Sequence, residues 1–347
     1  MSIHKSYKYI LVALAIFAAQ ACTKGFEDMN KDPTKATSNT PSQMILGIER
    51  TASDIVYDNT VNGTIGMLYA QYYAQTQKEN QSLYQLDEGS NNRLWALYSG
   101  PLSNVKNLID INSVTPEPGA KNENAIANIL SVWMFQILTD AYGNVPYSDA
   151  LQGNKTLAVT YQDSKVIYDS LIDRIDKQIA ALDTSVPAFE GNGEVIYNND
   201  LLKWKKLANS LKLRIGTRIA LADPAKAKQL ISEAVQSGVF ESSDDEAKFP
   251  YLSTIGSQYP FNDSSGGTPH NDYQVTATLI NMLQQTGDPR LPVYARPAAA
   301  TKTYVGKAYG ANDFGGGYDA YSFPGAKVYS PTLPGYIMSY AEVAFDL

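Results

Sequence analysis

The sequence predicts an all-α protein, stacked helical hairpins carrying a loop-rich part towards the C-terminal end. Three observations support this. Apolar residues recur at helical spacing in segments of about 15–25 residues, joined by short loops, from residue 42 to Phe240. No long stretch alternates apolar and polar residues as a half-buried strand would. Residues 251–335 are crowded with turn formers, 19 of 85 being Gly or Pro against 41 of 347 in the whole chain.

Residues 1–21 read as a signal peptide. Lys5 and Lys8 precede an apolar run, Ile10–Ala19, that is too short to span a bilayer stably. Cys22 follows and is the only cysteine, so no internal disulfide can form. Its place straight after the signal resembles a bacterial lipobox, with Ala19 where leucine is usual. Acylation of Cys22 would hold the chain on a membrane. Residues 22–40 are polar and read as a tether. Asp28, Asn30 and Asp32 imitate the start of a calcium loop, but Pro33 and Asn39 stand where Gly and Glu are required, so no site is expected.

The helical domain is placed at 41–347. A first helix over 42–78 puts Met44, Ile45, Ile48, Ala52, Ile55 and Val56 on one face, with Gly63 and Gly66 interrupting. A polar connector leads to Asn91–Asn92 and a helix bearing Leu94, Trp95, Tyr98, Leu102, Val105 and Leu108, bent at Pro101. The central strut begins near Ala125. Ile126, Ile129, Leu130, Trp133, Met134, Ile137 and Leu138 form a wide apolar face, and Val132 and Phe135 broaden it. Asn122 and Asn124 offer N-caps, and Gly143 with Pro146 ends it. Asp163, Asp200 and Asp223–Pro224 then cap three further helices. The basic residues of the second, within 201–222, read as a solvated face pairing with acidic neighbours. Within 251–335 only Thr276–Gln285 looks helical.

Composition narrows the function. The net charge is −7, and two lysines in residues 1–21 leave −9 for the rest, which argues against nucleic acid as a partner. No H-E-x-x-H, G-x-S-x-G, P-loop or G-x-G-x-x-G is present, and past the signal the sole histidine is His270. No cofactor or metal is expected. The 24 tyrosines against 10 Phe and 3 Trp are unusual, since a phenol suits wet binding surfaces as well as a core rim.

Several segments together resemble the SusD/RagB-like family of outer-membrane nutrient-binding lipoproteins. They are Asp32–Pro33 after Cys22, Trp95 with Tyr98, LTDAYGNVPYSDAL at Leu138–Leu151, KWKKLANSLKLRIGTRIA at Lys203–Ala220, DPRL at Asp288–Leu291, and IMSYAEVAF at Ile337–Phe345. The resemblance implies tetratricopeptide-like helical pairs with a loop-rich ligand-binding part. It also implies a lipid-anchored lid on a SusC-like TonB-dependent barrel transporter in the outer membrane. Such a protein passes oligosaccharide, or in some members peptide, to that barrel without covalent chemistry. Family members run on past the helix at AEV, so the chain is expected to be C-terminally incomplete, with apolar surface exposed there.

The candidate ligand contacts are Tyr72, Tyr73, Gln75, Gln77, Asn91, Arg93, Trp95, Tyr259 and Tyr273. Rings would stack on sugar faces while amides and charges bond hydroxyls. Tyr72 and Tyr73 are adjacent, so only one can face inward, and Trp95 with Tyr98 equally suits a core. A peptide-binding lid and a surface glycosidase using two carboxylates are the rival readings.

Overall fold

The computed structural model describes residues 39–76, 80–85, 88–153, 158–263, 272–310 and 317–347. Cys22, Asp32–Pro33, Gln77 and His270 lie outside them. The chain divides at Thr40, and Pro41–Leu347 is one unit.

Helix α1 (Pro41–Tyr57) buries Met44, Ile45, Ile48, Ala52 and Ile55. The single helix expected over 42–78 ends there. Asp58 starts a wider π-helical stretch, Asn59–Met67, by accepting from the Val61 amide at 2.7 Å. The chain then enters a short strand, β1 (Tyr73–Gln75). Helix α2 (Glu88–Leu97) passes through a π-helical turn containing Pro101 into α3 (Ser103–Val114), and the wider turn absorbs the missing proline N–H.

The strut is α4 (Ala120–Tyr142). Ile126, Ile129, Val132 and Leu138 are fully buried and Phe135 nearly so, because α3 covers one side of α4 and the next helix another. Its N-terminus differs from expectation. No side chain caps it, and Asn122 acts in tertiary structure. The Asn122 amide donates to the carbonyls of Asp183 at 2.9 Å and Val186 at 2.7 Å, and its oxygen accepts from Asp183 N at 2.8 Å. At the other end Gly143 takes φ 73° and closes on Thr139, as the glycine there predicts.

Strands β2 (Val145–Pro146) and β3 (Tyr161–Gln162) pair before α5 (Ser164–Ala181), α6 (Leu201–Arg218) and α7 (Pro224–Ser237). Asp163, Asp200 and Asp223 cap these three by accepting from backbone amides, as their sequence positions predict. α4 packs on α5, α5 on α6 and α6 on α7, giving stacked helical pairs of tetratricopeptide-like kind. The basic residues of α6 pair with acids, Lys206 with Glu241 and Asp245, Lys212 with Asp176 and Glu233. They are not all solvated: Lys212 is buried, and Arg214 makes a two-pronged bond to Glu342 beneath the chain's last helix.

The remainder is held by pairings rather than helices. Strand β4 (Ala247–Phe249) is followed by α8 (Pro260–Asp263), β5 (Tyr273–Val275), α9 (Ala277–Gln285), α10 (Leu291–Tyr294), β6 (Gly335–Met338) and α11 (Tyr340–Asp346). β5 pairs antiparallel with β1, with Tyr73 opposite Val275 and Gln75 opposite Tyr273. β6 pairs antiparallel with β4. A second apolar core lies here, built from Leu68, Tyr73, Phe249, Tyr251, Tyr259, Phe261, Tyr273 and Val275, among others. In α11, Val343 enters the apolar core shared by the long helices, while Phe345 stands 91% exposed.

One buried pair makes stability depend on pH. Glu49 on α1 meets Glu194 in the loop before α6, both with almost no exposure. Glu194 accepts from the amides of Tyr197 and Asn199, and Glu49 from that of Val195. Burial, reinforced by the Glu194 carboxylate, pushes Glu49 well above the usual 4.5. The fold therefore prefers neutral Glu49. That stability is complete below about pH 4.5 and is lost as pH rises to the folded-state value, by at most about 1.4 kcal/mol per pH unit. Glu49→Gln removes the titration. Denaturant unfolding between pH 4.5 and 9 is expected to show the variant gaining on the parent as pH rises; parallel curves would contradict this.

Candidate functional site

The β1–β5 ladder decides which tyrosines face outward. Side chains alternate along a strand and its approach, and the partner strand takes Tyr73 into the second core at 4% exposure, leaving Tyr72 51% exposed. Before the strand Gln71 has φ 55°, and beyond it Tyr84 has φ 59°, both in the left-handed region that a non-glycine residue rarely occupies. The two are joined: the Gln71 amide donates to the Tyr84 hydroxyl at 3.2 Å and its oxygen accepts from Thr278 at 3.3 Å.

Tyr84 lies between two other rings, 5.1 Å from Tyr69 and 5.9 Å from Tyr309, both tilted. It is 55% exposed, while its neighbours are half-buried. Burial and the Tyr84 phenol push the Tyr309 hydroxyl up to about 12. It therefore stays a neutral phenol, able to donate, at any physiological pH. The result is an arc of three tyrosines with an amide at its edge and Tyr72 next along the chain.

Each expected contact among the described residues has a definite place; Gln77 lies outside them. Gln75 supports the arc rather than facing solvent. Its side chain donates to Gln81 at 2.6 Å and accepts from the Ser82 amide at 3.2 Å, which holds the turn that carries Tyr84. Tyr259 and Tyr273 are corrections, at 2% and 3% exposure. Tyr259 packs among Tyr57 and Tyr251 and accepts from Asn62, and Tyr273 donates to Asn59 at 2.9 Å. Burial raises both phenols, and neither ring has a face left for a sugar. Arg93 is spent on Asp58, the residue that starts the π-helical stretch. Asn91 is exposed, with its carbonyl accepting from Tyr142. Trp95 is half-buried against Tyr98, Tyr142 and Tyr161, none of which is a ring partner of Tyr84. Sequence reasoning missed Tyr84, Tyr309 and Gln71. Only the surplus of tyrosine hinted at the two rings, and a left-handed glutamine has no sequence signal.

A cavity of about 470 Å³ lies where α4, α5, α6 and α7 meet. Its charges satisfy one another, Arg218 with Asp140 and Lys226 with Asp169. Among the described residues no group of His, Cys, Asp and Glu could hold a metal ion, and no helix is long and apolar enough to cross a membrane.

With this geometry in view, the comparisons place the chain. The model of the SusD-like family, described as starch-binding and associating with the outer membrane, matches residues 33–347. The chain belongs to that family. A chitin-binding protein of known structure shares 28% identity with this SusD-like chain at a TM-score of 0.77, over 88% of this chain and 69% of its own. A SusD homologue from Bacteroides uniformis is 26% identical at a TM-score of 0.74, over 89% of this chain and 65% of its own. A chitin-binding SusD homologue from Flavobacterium johnsoniae, at 23% identity and a TM-score of 0.72, shares the fold over 88% of this chain and 63% of its own. No curated protein matches.

Proposed function

We propose that this SusD-like chain captures oligosaccharide at the cell surface and passes it, unaltered, to a SusC-like TonB-dependent barrel transporter. Acylated Cys22 anchors it to the outer membrane. The observation that carries the reading is Tyr84. It is a half-exposed ring backed by Tyr69 and Tyr309, held by a Gln71 amide on strained backbone. A sugar presents an apolar ring face and a polar rim, and a tyrosine arc edged by an amide matches both. The family's description as starch-binding and the likeness to a chitin-binding protein support a glycan over a peptide. Glu49 and Glu194, which lie together as a pair of acids, are 2% and 0% exposed, out of reach of a glycosidic bond.

Calorimetric titration with chitin oligosaccharides, malto-oligosaccharides and a mixed peptide pool tests the reading. Saturable binding of one glycan class is expected, with no reducing ends released. Binding of peptide alone, or release of reducing ends, overturns it. The anchor is tested by palmitate labelling, which Cys22→Ser is expected to abolish.

A further inference from the structure

A groove of about 410 Å³ opens beside β1, within the usual range for small-molecule sites. Its walls are Met67, Leu279, Met282, Val293, Val328 and Leu333, and Tyr73 reaches it from the core. Tyr72 stands at its rim. The DPRL stretch builds one wall. Asp288 accepts from the Arg290 amide at 2.8 Å and grips its guanidinium at 2.6 Å, just before α10, which carries Val293 and Tyr294. Gly325 lets residues 326–329 lie on α10, since a Cβ there would come within 1.9 Å of the Val293 carbonyl oxygen.

The chemistry of this groove differs from that of the tyrosine arc. Sugar hydroxyls leaving water need partners, and most of this lining is aliphatic or thioether, with Tyr73 and Tyr294 beside it. Met282 is 56% exposed, an apolar side chain at the mouth with little protein over it. The charged groups lining the groove are cations. Arg290 is neutralised by Asp288, but among the described residues no carboxylate pairs with Lys327, so the mouth is net positive on a chain of charge −7. An apolar trough with an unmatched cation at its lip complements a molecule with an apolar body and an anionic end.

We propose that this groove is a second binding site, for a free apolar carboxylate such as a medium-chain acyl acid, adjoining the glycan site at Tyr72 and separate from the Tyr69–Tyr84–Tyr309 arc. Apolar burial sets affinity and Lys327 sets the preference for an acid. Titration of octanoate, decanoate and decanol, with displacement of 8-anilinonaphthalene-1-sulfonate followed by fluorescence, tests this. Decanoate is expected to bind about tenfold more tightly than octanoate, from two further buried methylenes, and more tightly than decanol. Val293→Asp should weaken decanoate at least tenfold. Met282→Glu, at an exposed position that the fold does not depend on, should weaken it severalfold. Lys327→Gln should remove the advantage over decanol. Tyr84→Asn should leave decanoate binding unchanged, so failure here and failure of the glycan reading are separable. No saturable decanoate binding, equal binding of decanol, or indifference to Met282→Glu overturns the proposal.

Discussion

Tyr72→Ala combined with Tyr84→Asn is expected to lower affinity for the captured oligosaccharide by a hundredfold or more, with the melting temperature nearly unchanged. Covering half of a tyrosine ring removes roughly 75–100 Å² of apolar surface from water, and stacking adds to that, so each ring contributes about 2 kcal/mol. Two rings together give a factor of several hundred or more. Stability should hold because both side chains are half in solvent, where substitutions change folding free energy by about 0.5 kcal/mol or less. Asparagine is chosen at 84 because it tolerates the left-handed φ of 59° there. Gln75→Ala, which frees the turn beneath Tyr84, should give a smaller loss of affinity through position alone. Calorimetry on the glycan identified by titration reads all three. An unchanged affinity in the double variant would remove the arc from the binding site.

The largest effect on stability is expected at Trp204. Its side chain is fully buried, edge-on to Tyr197 with ring centroids 5.3 Å apart. Trp204→Ala leaves a large cavity under α6 and should cost about 3–5 kcal/mol. Trp204→Phe should cost far less. The indole N–H has no hydrogen-bond partner among the described residues, and a buried unpaired donor costs about 1–3 kcal/mol, which phenylalanine avoids. That relief offsets part of the lost area, so a net change under about 1.5 kcal/mol is expected. Denaturant unfolding of the two variants decides it. Equal damage from Phe and Ala would mean that the N–H is satisfied in solution.

Where local rules apply, the sequence could be read directly. Asp163, Asp200 and Asp223 cap helices because a carboxylate placed there meets free amides whatever else the chain does. Gly143 ends α4 for an equally local reason. Asn122 shows the limit. It has the right chemistry for a cap, but the carbonyls of Asp183 and Val186, some sixty positions away, claimed its amide. The strands escaped notice because two to four residues are too few to show a period.

By itself the chain's order of residues determined the helical class, most ends of the long helices and the apolar strut, which follow from spacing along the backbone, and its motif segments carried the family resemblance. It also determined that Tyr72 and Tyr73 must point opposite ways. Only tertiary structure decided which of them faces water, because Tyr73 turns inward by pairing opposite Val275, two hundred residues on. The same holds for Tyr84, Tyr259 and Tyr273. Tyrosine is at home in a core and on a wet surface alike, so its surroundings, and not its identity, settle whether a ring supports the fold or meets a ligand.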